Sequence, residues 1–282
     1  MAISRHGSGV RSDLSALSSQ VHPVFMLPPL AASGFGAVLA GRIDFLLLVV
    51  HLTAAFAGLY TAHIKDGYVD FHRRGEDDDH PLTATGCRLA LAAASLLFFS
   101  CLAVLVVAVD PIAGLLTLPG WVIGYLHAPQ LDLHPIGATA GYPSGIGFAV
   151  LGGYYVQAAT LSTTVVAFAG VFFVVLCGIK TIDDTEDYEY DRSIGKRTVA
   201  VVLGPNRARR FAYGLMGLGM AGVVAGAGLG VFPRSSVAAP VVFGVVAGFA
   251  YRAGEDDGLA TMLLIRGSYL FLAVLLGAVW LG

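Results

Sequence analysis

Residues Lys180 to Thr198 read KTIDDTEDYEYDRSIGKRT and gather much of the ionisable chemistry of the chain. Six carboxylates, Asp183, Asp184, Glu186, Asp187, Glu189 and Asp191, fall within nine residues. An apolar run, Thr163 to Ile179, precedes them, with Lys180 at the junction; Arg192, Lys196 and Arg197 follow. On a helix, steps of three and four residues share a face, so Asp184, Asp187 and Asp191 would form one stripe. Asp183 would lie beside it, with Glu186 and Glu189 turned away. Two like charges about 5 Å apart repel by roughly 3 kcal/mol at an effective dielectric near 20. Such a stripe requires counter-charge, altered protonation or full solvation. A hard divalent cation with oxygen ligands answers that need most simply.

A second acidic stretch, HIKDGYVDFHRRGEDDDHPLT, covers residues 63–83. Asp66 and Asp70 are four apart and share a helix face; Asp77 returns to that face if the helix persists through Gly75. Lys65, Arg73 and Arg74 sit among the acids. Taken alone, this could be a solvated, charge-balanced loop. Two such loops, each beginning where an apolar run ends, point to a shared purpose. Mg2+ commonly bridges carboxylates to substrate phosphates. Two facing clusters could hold two or more Mg2+ ions around one diphosphate ester, with Lys and Arg supplying further charge as diphosphate leaves. Ionisation of an allylic diphosphate gives a carbocation that needs a dry, apolar, partly aromatic chamber. Tyr68, Phe71, Tyr125, Tyr154, Tyr155 and Tyr188 are candidates to face it.

The elements that carry these loops are set by composition. The chain has 282 residues, 56% hydrophobic and 13% charged, with mean hydropathy +0.75. Apolar stretches long enough to cross a bilayer recur along it. Nine spans are expected, over 22–41, 43–63, 87–109, 111–127, 137–158, 163–182, 209–230, 236–252 and 262–281. The predicted fold is all-α: a polytopic membrane bundle of nine transmembrane helices. It forms a single transmembrane domain over 1–282, of which 1–20 are a polar amino-terminal segment. No short apolar core with a small-residue cleavage site follows that segment, so a removable signal peptide is not expected. With nine crossings, only Arg42 and Arg234 of the 17 Lys and Arg fall on one side. The positive-inside rule then sets the acidic loops in the cytoplasm, on an integral protein of the cell membrane. Net charge is −2, so no nucleic-acid partner is expected. Cys87, Cys101 and Cys177 read as buried small hydrophobes. The small-residue run MGLGMAGVVAGAGLG at 216–230 would let helices approach closely.

These motifs resemble the UbiA superfamily of intramembrane prenyltransferases, which have nine membrane helices and two aspartate-rich motifs, after helices 2 and 6. The second motif is similar to Asn-Asp-x-x-Asp-x-x-x-Asp followed by Gly-Lys-Arg-Thr. Here it stands as Asp183-Asp184-Thr185-Glu186-Asp187-Tyr188-Glu189-Tyr190-Asp191, then Gly195-Lys196-Arg197-Thr198, with Asp183 in place of Asn. The tail TVAVVLG (198–204) is also similar. The resemblance implies Asp184, Asp187 and Asp191 as magnesium-diphosphate ligands and Lys196 and Arg197 as diphosphate neighbours. In the first motif Asp66 stands at the Asn position, Gly67 replaces the first Asp and Asp70 matches the second; Glu76 or Asp77 is the further acid. The segments Tyr125-Leu126-His127-Ala128-Pro129-Gln130 and PSGIGFAVLGGYYVQ (143–157) resemble the branch that prenylates 1,4-dihydroxy-2-naphthoate for menaquinone. Gln130 stands for the branch's second Pro, and His134-Pro135 for a basic pair.

The expected function is transfer of an isoprenyl group from its diphosphate to a hydrophobic aromatic acceptor, with Mg2+ as cofactor. Asp66, Asp70, Asp77, Asp184, Asp187 and Asp191 would serve as metal ligands. Lys65, Arg73, Arg74, Tyr125, Lys180, Lys196 and Arg197 would bind substrate. An ether-lipid or carotenoid acceptor is the alternative within this class, and an ion-coupled transporter the alternative outside it. Carriers tend to place ionisable groups at mid-bilayer between broken helices, whereas these acids cluster at span ends. The Asp-x-x-Asp-Gly-x-x-Ala-Arg signature of alcohol phosphatidyltransferases is missing. Soluble prenyl synthases share the string Asp183 to Asp187 but are not built from apolar spans. Among the other polar residues, His51 should bond within the bundle and His127 is a candidate proton acceptor. Gln157 should likewise bond within the bundle, with lining the chamber the alternative that the Tyr-Tyr-x-Gln resemblance implies; Glu255, Asp256 and Asp257 should form a solvated turn.

Overall fold

The computed structural model describes residues 3–254 and 256–281. Among them, regular structure is helical apart from one isolated antiparallel bridge, Ser4 to Leu82. In chain order the α-helices are α1 (Val10–Ser18), α2 (Pro23–Leu39), α3 (Phe45–Val69), α4 (Ala84–Ala108), α5 (Pro111–Leu126) and α6 (Pro135–Ala158). Then come α7 (Thr163–Glu186), α8 (Tyr188–Ser193), α9 (Val199–Leu203), α10 (Pro205–Gly228), α11 (Ala238–Arg252) and α12 (Asp257–Leu281). Among the described residues six helices are long and apolar enough to cross a membrane. They are α3, α4, α7, α10, α12 and α11 with the short 3-10 turn before it; a seventh arises if α1 and α2, bent by 68°, count as one.

Side chains at the helix starts supply what the backbone lacks there. The first N–H groups of a helix have no carbonyl within it, and an oxygen one residue before the helix can accept from them. Asp44 accepts from Leu46 and Leu47, Asp110 from Ile112 and Ala113, Thr83 from Gly86 and Ser162 from Val165. Pro28, Pro29, Pro119 and Pro143 lie inside helices that continue through them.

The chain divides into two compact units, Met1–Leu131 with Phe148–Ala159, and Asp132–Gly147 with Thr160–Gly282. In the first, α3 packs on α2, α4 and α5. The backbones of α2 and α6 meet directly. A Cβ on Gly36 would stand 2.2 Å from the Val150 carbonyl oxygen, and one on Gly153 2.2 Å from that of Ser33. His51 binds Ser33 Oγ through Nδ1 at 2.6 Å, so it bonds inside the bundle as expected. In the second unit α7 packs against α10 and α12, and α11 against α12. The close approach expected of the small-residue run is present: a Cβ on Gly219 would stand 2.4 Å from Val175 Cγ2. Outward faces carry exposed Leu96, Val107, Leu218, Val241 and Trp280, the apolar surface that lipid solvates.

The first unit has charged residues at both ends of α3, with the longer run, Lys65 to Asp79, at and beyond its close. The helix itself runs from Asp44 to the acidic turn beyond Val69. Gln157 is fastened at the Asp44 end: Asp44 N–H donates to its Oε1 at 2.6 Å, its Nε2 donates to Asp44 O at 3.2 Å, and Arg42 Nε donates to its carbonyl at 3.1 Å. Tyr155 OH donates to Asp110 Oδ2 at 2.8 Å. Gln157 thus bonds within the bundle, as expected. It fastens the end of α3 opposite the acidic turn, because the exposed start of that helix needed polar partners.

Candidate active site

The second acidic motif is built by the end of α7 and the short α8. Lys180, at the last apolar turn of α7, donates to Asp183 Oδ2 and to Asp184 Oδ1, both at 2.7 Å. Steps of three and four residues make that double contact possible within one helix. Asp184 is only 3% exposed. Its Oδ2 is buried with no hydrogen-bond partner. A carboxylate oxygen in that state is costly unless a cation meets it.

The helix then breaks. Asp187 has φ −92° and ψ 11° and ends α7 while starting α8. The continuous-helix stripe expected over Asp184, Asp187 and Asp191 is thus corrected: Asp187 is exposed at a joint, and Asp191 belongs to the next turn. Asp191 is 5% exposed. Burial pushes its carboxyl up to about 6; Lys196 pulls the other way, and Asp184 and Asp187 raise it again. The return of the chain depends on Gly195, whose φ of +78° suits a residue without Cβ. Through that turn Lys196 N–H reaches Asp191 O at 2.9 Å and its Nζ lies 4.0 Å from Asp191 Oδ1. Arg197 is exposed, and Thr198 caps α9 through Val201 N–H.

Asp257 departs from the expected solvated turn. Arg209 grips it with Nε at 2.9 Å and Nη2 at 2.6 Å, a two-point pairing that ties α10 to the start of α12. Asp256 caps that start by accepting from Leu259 N–H at 3.0 Å, and Glu255 lies outside the described residues.

The first acidic motif follows α3. After Val69 the chain widens into a π-helical turn, Asp70–Arg74, a deviation often found at functional sites. Gly75, at φ +65°, ends it. The helix therefore does not carry Asp77 back to the face of Asp66 and Asp70; Asp77 is exposed in the loop. Glu76 is the acid kept close: Arg74 lies 3.4 Å from Asp70 Oδ1 and 3.6 Å from Glu76 Oε1. Asp66 Oδ1 is 3.8 Å from His127 Nε2. Lys65 holds its ammonium 4.1 Å over the Tyr125 ring and donates to Tyr125 O at 3.3 Å. Arg73 sits 5.9 Å from the Tyr68 ring centroid. Asp66, Lys65, His127 and Tyr125 are thus one neighbourhood, joined by the ends of α3 and α5.

Sequence reasoning missed the clasp on this loop. Arg5 N–H donates to Pro81 O at 2.8 Å and Thr83 N–H to Ile3 O at 2.9 Å. Arg5 Nη1 also reaches Asp79 Oδ1 and His80 O, and its guanidinium stacks 4.3 Å from Phe71. The polar composition of the first residues carried no sign of this pairing. His80 itself stands beside Gly67: a Cβ on that glycine would fall 2.3 Å from His80 Nε2.

A family model for UbiA prenyltransferases matches residues 25–258. No curated protein sequence matches the chain. Among solved structures, it is similar to a UbiA homolog from Archaeoglobus fulgidus bound to GPP and Mg2+, with TM-score 0.70 and 17% identity over 95% of this chain and 99% of that one. It is similar to a digeranylgeranylglyceryl phosphate synthase in membranes, with TM-score 0.71 and 15% identity over 96% and 97%. It is also similar to a UbiA homolog from Aeropyrum pernix K1, with TM-score 0.67 and 18% identity over 93% and 98%. The family match takes in both acidic motifs and eight of the long helices, and on it the chain belongs to the UbiA prenyltransferase family.

Proposed function

We propose that this protein transfers an isoprenyl group from a prenyl diphosphate to an aromatic lipid-quinone precursor, 1,4-dihydroxy-2-naphthoate. The observation that carries the reading is Asp184: a buried carboxylate with one oxygen on Lys180 and the other without a partner, inside the second acidic motif. That donor set, all hard oxygens with like charges crowding Asp191, fits magnesium. Magnesium, when bound, neutralises charge on the leaving diphosphate. The A. fulgidus homologs bound to GPP or DMAPP with Mg2+ are consistent with this donor class.

In this reading Asp184, Asp187 and Asp191 are the ligands of the second motif, with Lys180 fixing the Asp184 carboxylate. Asp66 and Asp70 are the ligands of the first, with Asp77 and Glu76 the further acids. Lys196, Arg197, Lys65, Arg73 and Arg74 face the diphosphate, and Tyr125 stands beside it. The allylic C–O bond breaks with its electron pair leaving on diphosphate. A ring carbon of the acceptor bonds to the allylic carbon and loses its proton; the carboxylate leaves as CO2, and the ring carbon that carried it takes up a proton. Apolar helix faces keep water from the cation. We read nine crossings in one catalytic domain, the six strongest spans joined by α2, α5 and α6, with the acidic ends in the cytoplasm of the cell membrane. The distribution of Lys and Arg supports that orientation.

The test incubates membranes holding the protein with labelled geranylgeranyl diphosphate and a panel of acceptors, with and without EDTA. The panel includes the naphthoate, a glycerophosphate ether and a carotenoid. Label in a prenylated naphthoquinone, abolished by EDTA and restored by Mg2+, is the expected result. Label only in another acceptor would overturn the acceptor. Cation flux through the protein in liposomes without any transfer would overturn the class.

A further inference from the structure

Below the first acidic motif, three segments bring together side chains of a different chemistry. His72 comes from the π-helical turn, His80 from the loop and Cys87 from the first turn of α4. One ligand atom from each lies within 4.8 Å of the others. We infer that His72, His80 and Cys87 form a binding site for a zinc-class transition-metal ion, separate from the carboxylates and selecting against magnesium.

The imidazoles are already oriented as metal ligands are. Such a histidine donates its other ring N–H to a carbonyl or carboxylate, which fixes the tautomer. Here both rings meet the Leu82 carbonyl oxygen, His72 Nε2 at 3.0 Å and His80 Nδ1 at 3.2 Å; His80 Nδ1 also lies 3.2 Å from the Leu82 N–H, and a metal on Nε2 would select the tautomer that donates to the carbonyl. Donation from those nitrogens leaves lone pairs on His72 Nδ1 and His80 Nε2. His80 Nε2 is buried and has no hydrogen-bond partner, in a residue only 5% exposed. Burial also favours the neutral ring, shifting His80 downward. Leu82 is itself held by the bridge to Ser4, and Thr83 caps the helix that carries Cys87.

Two nitrogens and a sulfur suit Zn2+, Co2+ or Cu+ and not the hard, oxygen-seeking Mg2+. Bond lengths of about 2.3 Å to sulfur and 2.0–2.1 Å to nitrogen ask the widest pair to close by about 1 Å, with water as fourth ligand. Binding forms an S–metal bond and releases the Cys87 thiol proton to solvent. Without a metal, Cys87 is a small apolar group in the cluster of Ile64, Leu82 and Ala90, and the two designs differ in what they bind.

The probe is Co2+, added to the EDTA-stripped, desalted full chain in detergent. A thiolate-to-cobalt charge-transfer band saturating at one Co2+ per chain is expected, with displacement by Zn2+ but not by millimolar Mg2+. Cys87→Ser should abolish the band, and His72→Gln should weaken Co2+ binding about tenfold or more. Asp184→Asn should leave the band intact, which separates this site from the transfer reaction. Absence of a band in the folded wild type, its survival in Cys87→Ser or its loss in Asp184→Asn would each overturn the inference. If His72→Gln fails to fold, melting temperature decides: it should rise with Zn2+ in the wild type and not in Cys87→Ser.

Discussion

Replacing Asp184 by Asn separates chemistry from architecture. The amide keeps the shape of the carboxylate and removes its charge. Two effects on stability oppose each other. The charge-assisted bond from Lys180 at 2.7 Å is lost, at a cost of about 1.5–3 kcal/mol. The buried anionic oxygen without a partner is also removed, which returns about 1–3 kcal/mol of desolvation penalty. Asp183 still accepts from Lys180, so the lysine is not stranded. The difference lies between about −1.5 and +2 kcal/mol, at most about 8 °C in a chain of this size. Activity should behave differently, because the ligand charge has no substitute. Loss of one preorganised electrostatic contact costs roughly 10²–10³ in rate. The assay measures prenyl transfer by the purified variant against Mg2+ concentration, with its melting temperature taken in parallel. A 10²-fold or greater loss with a melting temperature shifted by no more than about 8 °C is expected. Near-normal transfer with an unchanged Mg2+ requirement would refute the assignment. A fall in melting temperature of more than about 10 °C would show instead that Asp184 serves the fold.

Asp191 sets a pH dependence. Its carboxyl titrates at about 6 in the folded chain against an ordinary 3.8, so the folded state holds that proton more tightly. The stabilisation is full below 3.8 and is lost as pH rises to about 6 in metal-free protein, and Asp191→Asn should flatten that fall in melting temperature. Transfer should run the opposite way: the Mg2+ concentration needed for half-maximal rate should rise as pH falls below about 6, where a proton competes with the metal for Asp191. Gly67→Ala should cost about 1–3 kcal/mol through the 2.3 Å encounter with His80, and Gly67→Ala with His80→Ala should recover most of it in urea unfolding. Gly153→Leu drives a side chain into the Ser33 carbonyl, so the variant should lose its monodisperse peak on size exclusion, whereas Gly145→Ala, with open space around it, should not.

Long apolar runs announced the helices, and the capping residues Asp44, Asp110 and Ser162 mark where three of them begin. The second motif stood out in the sequence because its acids lie close together and their spacing is strict. The break in its helical stripe did not, since periodicity carries no sign of the joint at Asp187. In the first motif Gly75 signalled a stop, but the choice between Glu76 and Asp77 rested on Arg74, which bridges Asp70 and Glu76. Asp257 was misread because it finds its partner, Arg209, far along the chain. Such pairings depend on packing that single-residue properties do not encode.

The clasp of residues 3–6 on 79–83 has a practical bearing on how the protein is handled. An affinity tag or fusion partner placed ahead of Ile3 pulls on the same short ribbon that seats Leu82, and through it both imidazoles. Material prepared that way should report a slackened first motif even when every helix is intact, and cleaving the tag should restore it.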